Sequence, residues 1–439
     1  MFNRILIANR GEIAVRIIRA CKEMGIETVA VYSEADADAL HTALADERIC
    51  IGPASAKDSY LREDRIISAA LASGARAIHP GYGFLAENSH FAALCRRNGL
   101  VFIGPDSAIM DELADKARTK GRMAALGLPV IPGSGPVNSV EEALREADRI
   151  GYPVMLKARS GGGGKGIRLV SNDTELPQAY ALSSAEAARA FSDSLIYIEK
   201  YVWPARHIEV QIIADEDGNV VCLGERDCSI QRNHQKLIEE SPSPAVTSAQ
   251  RRKLCSLVRA AVKKLHYTGV GTLEFLMDTA DHIWFMEMNV RLQVEHGVTE
   301  MLTDIDLVKW QIRTAAGISL RYTQKDIVVD GCSVECRINA LSPGRVETLH
   351  VPGGPGVRFD TALTQGMEVT SFYDSLIGKL IVYAHTREEA IRKLRAALCE
   401  LVIDGVRTNL DEQLQAVSDP GFIDGTYDLT FMEGVSCRC

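Results

Sequence analysis

Polar and charged side chains alternate with apolar ones over residues 285–296, which read FMEMNVRLQVEH. Successive side chains of an extended chain point to opposite faces, so this spacing predicts a strand with one apolar and one polar face. The polar face would carry Glu287, Asn289, Arg291, Gln293 and Glu295. Its oxygens could hold a cation, Arg291 could bind an anion, and Glu295 could accept a proton. The alternative is a half-buried surface strand that shows its charges to water.

A further acid stands among apolar neighbours in the preceding segment 271–277, GTLEFLM. We expect the two segments to form a hairpin, with Glu274 on one strand and Glu287 on the next. Two carboxylates inside apolar strands cost free energy unless a cation neutralises them. Magnesium binds through one or two carboxylates and substrate phosphates, so the sequence predicts a metal site here.

A run of four glycines between two predicted strands, 152–159 and 167–170, predicts a phosphate-binding loop. Backbone N–H groups in such a loop can turn toward phosphate oxygens, and Lys157 and Lys165 add positive charge. The loop does not follow the Walker pattern, because no Lys-Ser or Lys-Thr pair leads into a helix. The alternative is a flexible surface flap.

Length and composition bound the class of protein. A chain of 439 residues with 46% hydrophobic and 24% charged residues predicts about two or three globular domains. The net charge of −9 argues against a nucleic-acid-binding surface, which needs a basic stripe. The eleven cysteines show no zinc spacing and fit a reducing cytosol better than a disulfide framework. We find no signal peptide and no run of 18 apolar residues, so a cytoplasmic location without membrane contact is expected.

The first 110 or so residues alternate between strand and helix patterns. Strands are predicted at 5–8, 28–32, 75–78 and 100–103, and helices at 12–24 and 65–73. This order predicts an α/β domain with a parallel sheet. Only Gly11 occupies the first turn, so a dinucleotide fingerprint is absent and a nicotinamide site is not expected. Residues from about 325 predict a strand-rich segment with a helix over 387–401.

Several motifs together resemble one family, the biotin carboxylases of the ATP-grasp superfamily. The resemblance runs nearly end to end and rests on IANRGEIA at 7–14, HPGYGFL at 79–85, the glycine loop, ERDCS at 225–229 and ECRINA at 335–340. It implies an α/β fold with three domains. These are a Rossmann-like, parallel-sheet N-terminal domain at 1–113, an ATP-grasp domain at 114–325 with a glycine-rich lid at about 133–203, and a C-terminal biotin carboxylase domain at 326–439.

The resemblance also implies roles for single residues. ATP would contact Lys116, Lys157, Gly163, Gly164, Glu199, Lys200, Tyr201, Val202, His207, Gln231 and His234. Magnesium or manganese on the phosphates would be held by Glu274, Glu287 and Asn289. Bicarbonate and biotin would be bound by Lys236, Arg291, Gln293, Val294 and Arg337. Glu295 would deprotonate bicarbonate for attack on the γ-phosphorus, and Arg337, which stays charged, would stabilise the biotin enolate.

The implied activity is carboxylation of biotin on a carrier protein through carboxyphosphate, the first step toward malonyl-CoA and fatty acid synthesis. The chain would be the biotin carboxylase subunit of an acetyl-CoA carboxylase, or of a relative such as a two-subunit pyruvate carboxylase. No Met-Lys-Met attachment sequence is present, so we expect a separate carrier and separate carboxyltransferase subunits. The resemblance implies a homodimer. The rivals are another ATP-grasp ligase, such as a purine-pathway carboxylase, and a non-catalytic ATP-binding paralogue.

Two features depart from the family pattern. Arg159 precedes the glycines where relatives have a small residue, and the segment after Ala340 is shorter than in relatives. Arg159 leaves its predicted strand on the same face as Lys157. We expect it to contact an ATP phosphate, and the alternatives are pairing with a local acid or exposure to solvent.

Overall fold

The structure is a computed structural model, and it describes residues 1–158, 167–191 and 193–436. Contacts divide the chain into two compact units. Unit 1 comprises Met1–Ala114, Arg206–Glu274 and Met288–Cys439, and unit 2 comprises Asp115–Ala205 and Phe275–Glu287. The division into three domains stays a prediction.

The strands and helices alternate along much of the chain. The strands are β1 (Arg4–Ile7), β2 (Glu27–Ser33), β3 (Glu47–Gly52), β4 (Ala77–His79), β5 (Val101–Phe102), β6 (Gly133–Val137), β7 (Val154–Ala158), β8 (Ile167–Val170), β9 (Ile196–Lys200), β10 (Ala205–Ala214), β11 (Val220–Arg232), β12 (Gln235–Ser241), β13 (Gly269–Asp278), β14 (Ile283–Asn289), β15 (Cys332–Asn339), β16 (Gly344–Arg345), β17 (Thr348–His350), β18 (Val357–Thr361), β19 (Glu368–Val369), β20 (Leu376–Ala384) and β21 (Val402–Asp404). The helices are α1 (Gly11–Glu23), α2 (Leu40–Leu44), α3 (Glu63–Ala72), α4 (Ser89–Arg97), α5 (Ser107–Ala114), α6 (Lys116–Ala125), α7 (Val140–Ile150), α8 (Leu176–Phe191), α9 (Ser248–Lys264), α10 (His296–Thr303), α11 (Leu307–Ala315), α12 (Arg387–Glu400), α13 (Leu410–Ser418), α14 (Pro420–Ile423) and α15 (Phe431–Ser436).

A parallel sheet in the order β3-β2-β1-β4-β5 opens unit 1. Its central strands are apolar and fully buried, as in Ile5, Leu6 and Ile7 of β1. Helices follow most of the strands because a parallel pair needs a long crossover connection. The predicted α/β fold with a parallel N-terminal sheet is therefore confirmed. The edge strand β3 was not predicted, because its sequence ERICIG is mostly exposed and shows little apolar pattern.

A larger sheet forms the centre of unit 1, and β10, β11, β12, β15, β20 and β18 run antiparallel across it in that order. The outer side of β10 adjoins β13, which adjoins β14. Asn233 and His234 both have positive φ angles, 51° and 63°, and form the turn between β11 and β12. Such a two-residue turn matches the twist of a hairpin. It sets Gln231 opposite Lys236 across the hairpin.

The sheet of unit 2 has the order β6-β9-β7-β8. The two strands predicted beside the glycine loop pair antiparallel, with Lys157 opposite Ile167. Ser139 caps α7 by accepting a hydrogen bond from the Glu142 backbone. The loop residues themselves, with Gly163, Gly164, Lys165 and Arg159, lie outside the described residues.

The strand predicted through residue 296 is wrong from Val290 onward. The strand β14 ends at Asn289, residues 290–295 form a loop, and α10 begins at His296. Buried side chains hold this loop in place of backbone pairing. The amide of Gln293, for example, donates to the Glu274 carboxylate over 2.6 Å. The alternating polarity of residues 290–295 is therefore explained by a buried network of polar side chains and not by continued strand pairing.

The structure bears on two expectations from composition, which concern membrane spans and the cysteines. No helix among the described residues combines the length and apolar character needed to cross a bilayer. The cysteines Cys222 on β11 and Cys255 on α9 form a disulfide, a pairing that was not predicted.

Candidate active site

Lys236 on β12 is the centre of a buried ionic cluster in unit 1. Its Nζ donates hydrogen bonds to Glu209 at 2.7 Å, Glu274 at 3.2 Å and Glu295 at 2.6 Å. Burial disfavours the charged lysine, but the three carboxylates together raise its pKa well above the ordinary value. Lys236 therefore stays protonated, and one cation is shared by three acids from different segments of the chain.

Glu295 is held by two cations at once. Its Oε1 accepts from Lys236, and its Oε2 accepts from Arg337 on β15 at 2.8 Å. Burial would raise the pKa of Glu295, but Lys236 and Arg337 hold it well below its usual range. Arg337 also donates to Glu239 on β12 at 2.6 Å. A proton transferred to Glu295 would neutralise the carboxylate and weaken both of these cation contacts.

Glu274 on β13 collects donors on both carboxylate oxygens. Its Oε1 accepts from Asn289 at 2.8 Å and from Gln293 at 2.6 Å, while Nε2 of His207 lies 2.9 Å from Oε2. Burial opposes ionisation, but Lys236 and His207 hold the pKa of Glu274 far below its usual range. An ionised carboxylate beside an amide oxygen fits a hard cation such as Mg²⁺.

Glu287 stands two residues before Asn289 on β14, so their side chains leave the strand on the same face. Glu287 belongs to unit 2 and Asn289 to unit 1.

A layer of charges beneath the cluster was not predicted. Arg226 on β11 is fully buried and donates to Glu209, to Gln211 at 2.7 Å and to Gln293 at 3.0 Å. It therefore connects residues that contact Lys236 and Glu274. The signal available in the sequence was the presence of charged residues inside apolar strands, since Glu209 lies in RHIEVQIIA and Arg226 in VVCLGERDC.

Arg291 is not joined to the cluster in the part of the chain that the structure describes. Its Nε lies 3.2 Å from Glu87, and its NH1 donates to the Leu292 carbonyl at 3.2 Å. The carbonyl of Val294 accepts from Lys379 at 2.8 Å. Of the residues predicted to bind bicarbonate, Lys236 and Gln293 thus share Glu274, whereas Arg291 and Val294 have other partners.

The predicted ATP contacts of unit 1 lie on β10 and the β11–β12 hairpin. Nδ1 of His207 contacts the Gln231 amide nitrogen at 2.9 Å, and the same amide donates to the Cys228 carbonyl at 2.8 Å. His234 is exposed at the turn.

The predicted ATP contacts of unit 2 centre on Glu199 of β9. Its carboxylate accepts from Lys120 and Lys157, each at 2.5 Å. Burial opposes ionisation of Glu199, but the two lysines lower its pKa. Lys120 was not predicted, and it extends the positive charge that Lys157 begins.

The remaining predicted residues of unit 2 lie beside Glu199 or outside the description. The Nζ of Lys200 donates to the Gly151 and Tyr152 carbonyls at 2.9 and 3.0 Å, and Tyr201 stacks on Trp203. Val202 follows the end of β9. Lys116 begins α6, but its side chain is not among those described.

Known families match most of the chain. Residues 1–110 match "Biotin carboxylase, N-terminal domain", residues 335–434 match "Biotin carboxylase C-terminal domain", and residues 115–323 match "Carbamoyl-phosphate synthase L chain, ATP binding domain". Biotin carboxylase 1 of Bacillus subtilis is 49% identical over 99% of this chain and 98% of its own. The 2-oxoglutarate carboxylase small subunit of Hydrogenobacter thermophilus is 50% identical over 99% of this chain and 93% of its own.

A crystal structure gives the same assignment. The biotin carboxylase domain dimer of Hydrogenobacter thermophilus 2-oxoglutarate carboxylase, in complex with MgADP, ADP and bicarbonate, superposes with a TM-score of 0.92. It is 49% identical over 99% of this chain and 98% of that chain. The chain therefore belongs to the biotin carboxylase family. It is an ATP-dependent ligase.

Proposed function

We propose that this enzyme is the biotin carboxylase subunit of an acetyl-CoA carboxylase, acting on biotin attached to a carrier protein. The similarity to the stand-alone Bacillus subtilis biotin carboxylase supports this choice. The similar identity to a 2-oxoglutarate carboxylase small subunit favours a 2-oxo acid as the alternative final acceptor. In either case the reaction on this chain is the same, because the acceptor is chosen by the carboxyltransferase.

The cluster around Lys236 supports the roles proposed for the carboxylation step. Lys236 and Arg291 would bind bicarbonate with Gln293 and the Val294 backbone, and Glu295 would take its proton. The deprotonated bicarbonate oxygen then forms a bond to the γ-phosphorus of ATP as the bond to ADP breaks, which gives carboxyphosphate. Its breakdown releases CO₂ and phosphate, and the phosphate takes the N1′ proton of biotin while Arg337 stabilises the enolate. The N1′ nitrogen then forms a bond to the CO₂ carbon, which gives carboxybiotin.

Two sets of residues are proposed for the metal and for ATP. Glu274, Glu287 and Asn289 would bind Mg²⁺ or Mn²⁺, which supplies charge neutralisation on the phosphates when bound. Lys116, Lys157, Gly163, Gly164 and Glu199–Val202 would contact ATP, together with His207, Gln231 and His234. The contact between the Glu274 carboxylate and the Asn289 amide at 2.8 Å supports this proposal, since it brings two of the three proposed ligands together.

The partners proposed are a biotin carboxyl carrier protein, carboxyltransferase subunits and a second copy of this chain. The similar chain from Hydrogenobacter thermophilus is itself a small subunit, and its biotin carboxylase domain forms a dimer. Sedimentation of the purified protein tests the dimer. Co-purification with the carrier tests the interaction with the biotin carboxyl carrier protein.

The contact of Glu295 with both Lys236 and Arg337 is the single observation that best supports carboxylation, because it puts a base between two anion-binding cations. ADP release is measured with ATP, magnesium and bicarbonate, with and without free biotin. We expect release to depend on both bicarbonate and biotin. Equal ATP hydrolysis without them would contradict the proposal and favour a different ATP-grasp reaction.

The final acceptor needs its own assay. Labelled bicarbonate is supplied with the carrier, the carboxyltransferase subunits and one acceptor at a time, and label is measured in the carboxylated product of acetyl-CoA, of pyruvate and of 2-oxoglutarate. Label in the product of acetyl-CoA supports the proposed subunit, whereas label in the product of one of the 2-oxo acids assigns the alternative.

A further inference from the structure

The loop 290–295 carries Arg291, Gln293 and Glu295 but belongs to no strand or helix. Its backbone conformation therefore depends on other contacts. Two of these engage carbonyl groups of the loop. His296 Nδ1 lies 2.8 Å from the Gln293 oxygen, and Lys379 Nζ donates to the Val294 oxygen at 2.8 Å. The second contact comes from a charged residue on the central sheet and is unusual for that reason.

Lys379 stands on the same face of the sheet as Arg337. In the register of the antiparallel strands, Lys379 on β20 lies opposite Arg337 on β15 and opposite Asp360 on β18. Directly opposite residues project from the same face. The helix α10 packs on this face, since a side chain added at Gly297 would meet Ile381 on β20. The face of the sheet that holds the proposed enolate-stabilising arginine thus also reaches the start of α10.

Lys379 is fully buried, so its charge needs compensation. Its Nζ lies 3.2 Å from Glu12 on α1 and 3.9 Å from Asp360. Burial opposes the charged form, yet Glu12, Glu335 and Asp360 together raise the pKa of Lys379. Glu12 also accepts from the Tyr82 hydroxyl. The lysine Nζ therefore contacts one backbone oxygen of the loop and lies beside two acids that favour its charged form.

Fixing the Val294 oxygen fixes more than one atom. The Val294–Glu295 peptide is planar, so its carbonyl oxygen and the Glu295 N–H point in opposite directions within one plane. A cation on the oxygen holds that plane and polarises the peptide, which makes the Glu295 N–H a stronger donor. The Cα of Glu295 is the next atom along, so the direction of its side chain depends on the same plane.

We propose that Lys379 is a positioning residue for carboxylation, which holds the Val294–Glu295 peptide so that the Glu295 carboxylate and backbone N–H face bicarbonate. This inference rests on the proposed role of Glu295 as base. Lys379 does not touch a substrate in it. The rival is a structural lysine that only neutralises Glu12 and Asp360, with the Val294 contact incidental.

Matched variants separate the two roles. Lys379→Met alone leaves Glu12 buried without its cation, and the protein then loses stability under either role. The double variant Glu12→Gln with Lys379→Met removes the lysine and one acid together, which keeps the pocket closer to neutral. Glu12→Gln alone is the control, since it alters the same pocket but keeps the donor to Val294. If the methionine variant does not fold, Glu12→Gln with Lys379→Gln provides a polar, neutral pair that is too short to reach the loop.

Hydrogen exchange measures positioning directly and does not depend on turnover. Amide exchange of the peptide covering residues 290–296 is compared among the parent, the control and the double variant. We expect exchange in the double variant to be about tenfold faster or more, and exchange in the control to stay near the parent. Unchanged exchange in a folded double variant would overturn the proposal.

Kinetics measure the consequence. In the double variant kcat/KM for bicarbonate should fall by about 10- to 100-fold, because small displacements of a catalytic group have effects of this size. KM for bicarbonate should rise while KM for ATP stays within about threefold. General loss of stability would not produce this split, because a smaller folded fraction lowers kcat and leaves both KM values unchanged. A kcat/KM for bicarbonate within about threefold of the control would overturn the catalytic part of the proposal. If the parent itself shows no bicarbonate-dependent turnover, the proposed function fails, and the exchange result alone decides the positioning.

Discussion

Two buried carboxylates, Glu295 in unit 1 and Glu199 in unit 2, are each held by two cations, yet their surroundings differ in the sign of the surplus charge. Around Glu199 one acid meets two lysines, Lys120 and Lys157. Around Glu295 the carboxylates outnumber the lysines and arginines, and His207 lies 2.9 Å from one of these carboxylates, Glu274. The acids are Glu209, Glu239, Glu274 and Glu295, and the cations are Lys236, Arg226 and Arg337.

The sign of the surplus indicates what each cluster can accept. A cluster with excess lysine is completed by an anion such as a phosphate group, and a cluster with excess carboxylate is completed by a metal ion. We therefore expect the same local motif, an acid between two cations, to accept opposite ligands in the two clusters. The residues around the motif decide which ligand each cluster accepts.

The largest expected effect comes from Glu295→Gln, which keeps the shape of the side chain but removes its charge and its capacity as a base. We expect kcat to fall by about 10²- to 10⁴-fold, the usual contribution of a positioned base. ATP binding should change little, and initial rates over a range of ATP concentrations measure both kcat and KM for ATP. Glu388→Gln, an exposed acid on α12, is the control. A kcat within about threefold of the parent would rule out the role of base.

Glu274→Gln removes one acid from the surplus and should weaken metal binding. We expect the magnesium concentration for half-maximal activity to rise by about tenfold, with partial rescue by manganese. A magnesium titration of ADP release measures it. If the midpoint stays where it is in the parent, Glu274 is a structural acid and the comparison between the clusters loses its metal half.

Removing the surplus lysine of the Glu199 cluster in unit 2 should weaken ATP binding and leave metal binding unchanged. Lys157→Met leaves one lysine for one acid, and we expect KM for ATP to rise by about tenfold, because a charged hydrogen bond to phosphate is lost. Glu199→Gln acts in the opposite direction, since both lysines become available, and KM for ATP should not rise. Equal increases of KM in both variants would indicate a merely structural ion pair.

The smallest expected effect concerns pH. Burial, opposed by Arg337, raises the pKa of Glu239 to about 7, whereas an unfolded glutamate titrates near 4.3. Between these values the folded state binds the extra proton, so the stability from Glu239 is complete below about pH 4.3 and is lost as pH rises to about 7. The contribution of Glu239 to the free energy of unfolding changes by at most about 1.4 kcal/mol per pH unit.

Urea unfolding of the parent and of Glu239→Gln is measured from pH 5 to 8. The difference between their free energies of unfolding, followed against pH, gives that slope. The comparison is needed because buried histidines with lowered pKa values act in the opposite direction; they are His41, His79 and His296. We expect the variant to lose less stability than the parent as pH rises. Parallel curves would place the pKa of Glu239 outside this range.

Local patterns predicted the elements better than the contacts between them. The strands β1, β2, β7 and β8 followed directly from apolar runs and their flanking glycines. Residues 290–295 misled the strand prediction, because alternation arises both in a ladder and in a loop whose polar side chains are satisfied by a buried network. Only three-dimensional contacts, such as that of Gln293 with Glu274, distinguish the two cases.

The site was predicted mainly through the resemblance, and its second layer was not predicted. Lys236, Glu274, Glu295 and Arg337 lie together, but nothing in their spacing shows that Glu209, Arg226 and Glu239 support them from other strands. The pairing of Arg291 with Glu87 joins distant parts of the sequence, so no local pattern could indicate it.

Because three carboxylates share Lys236, the order in which residues of this site can be lost in evolution is also constrained. Losing the lysine first would leave three buried acids short of a cation, and breaking a buried pair in this way costs about 3–5 kcal/mol. Losing one of the acids first leaves the lysine with two partners. A lineage that abandons carboxylation should therefore discard an acid early and the lysine late, so a descendant that keeps Lys236 has not, by that fact, kept the activity.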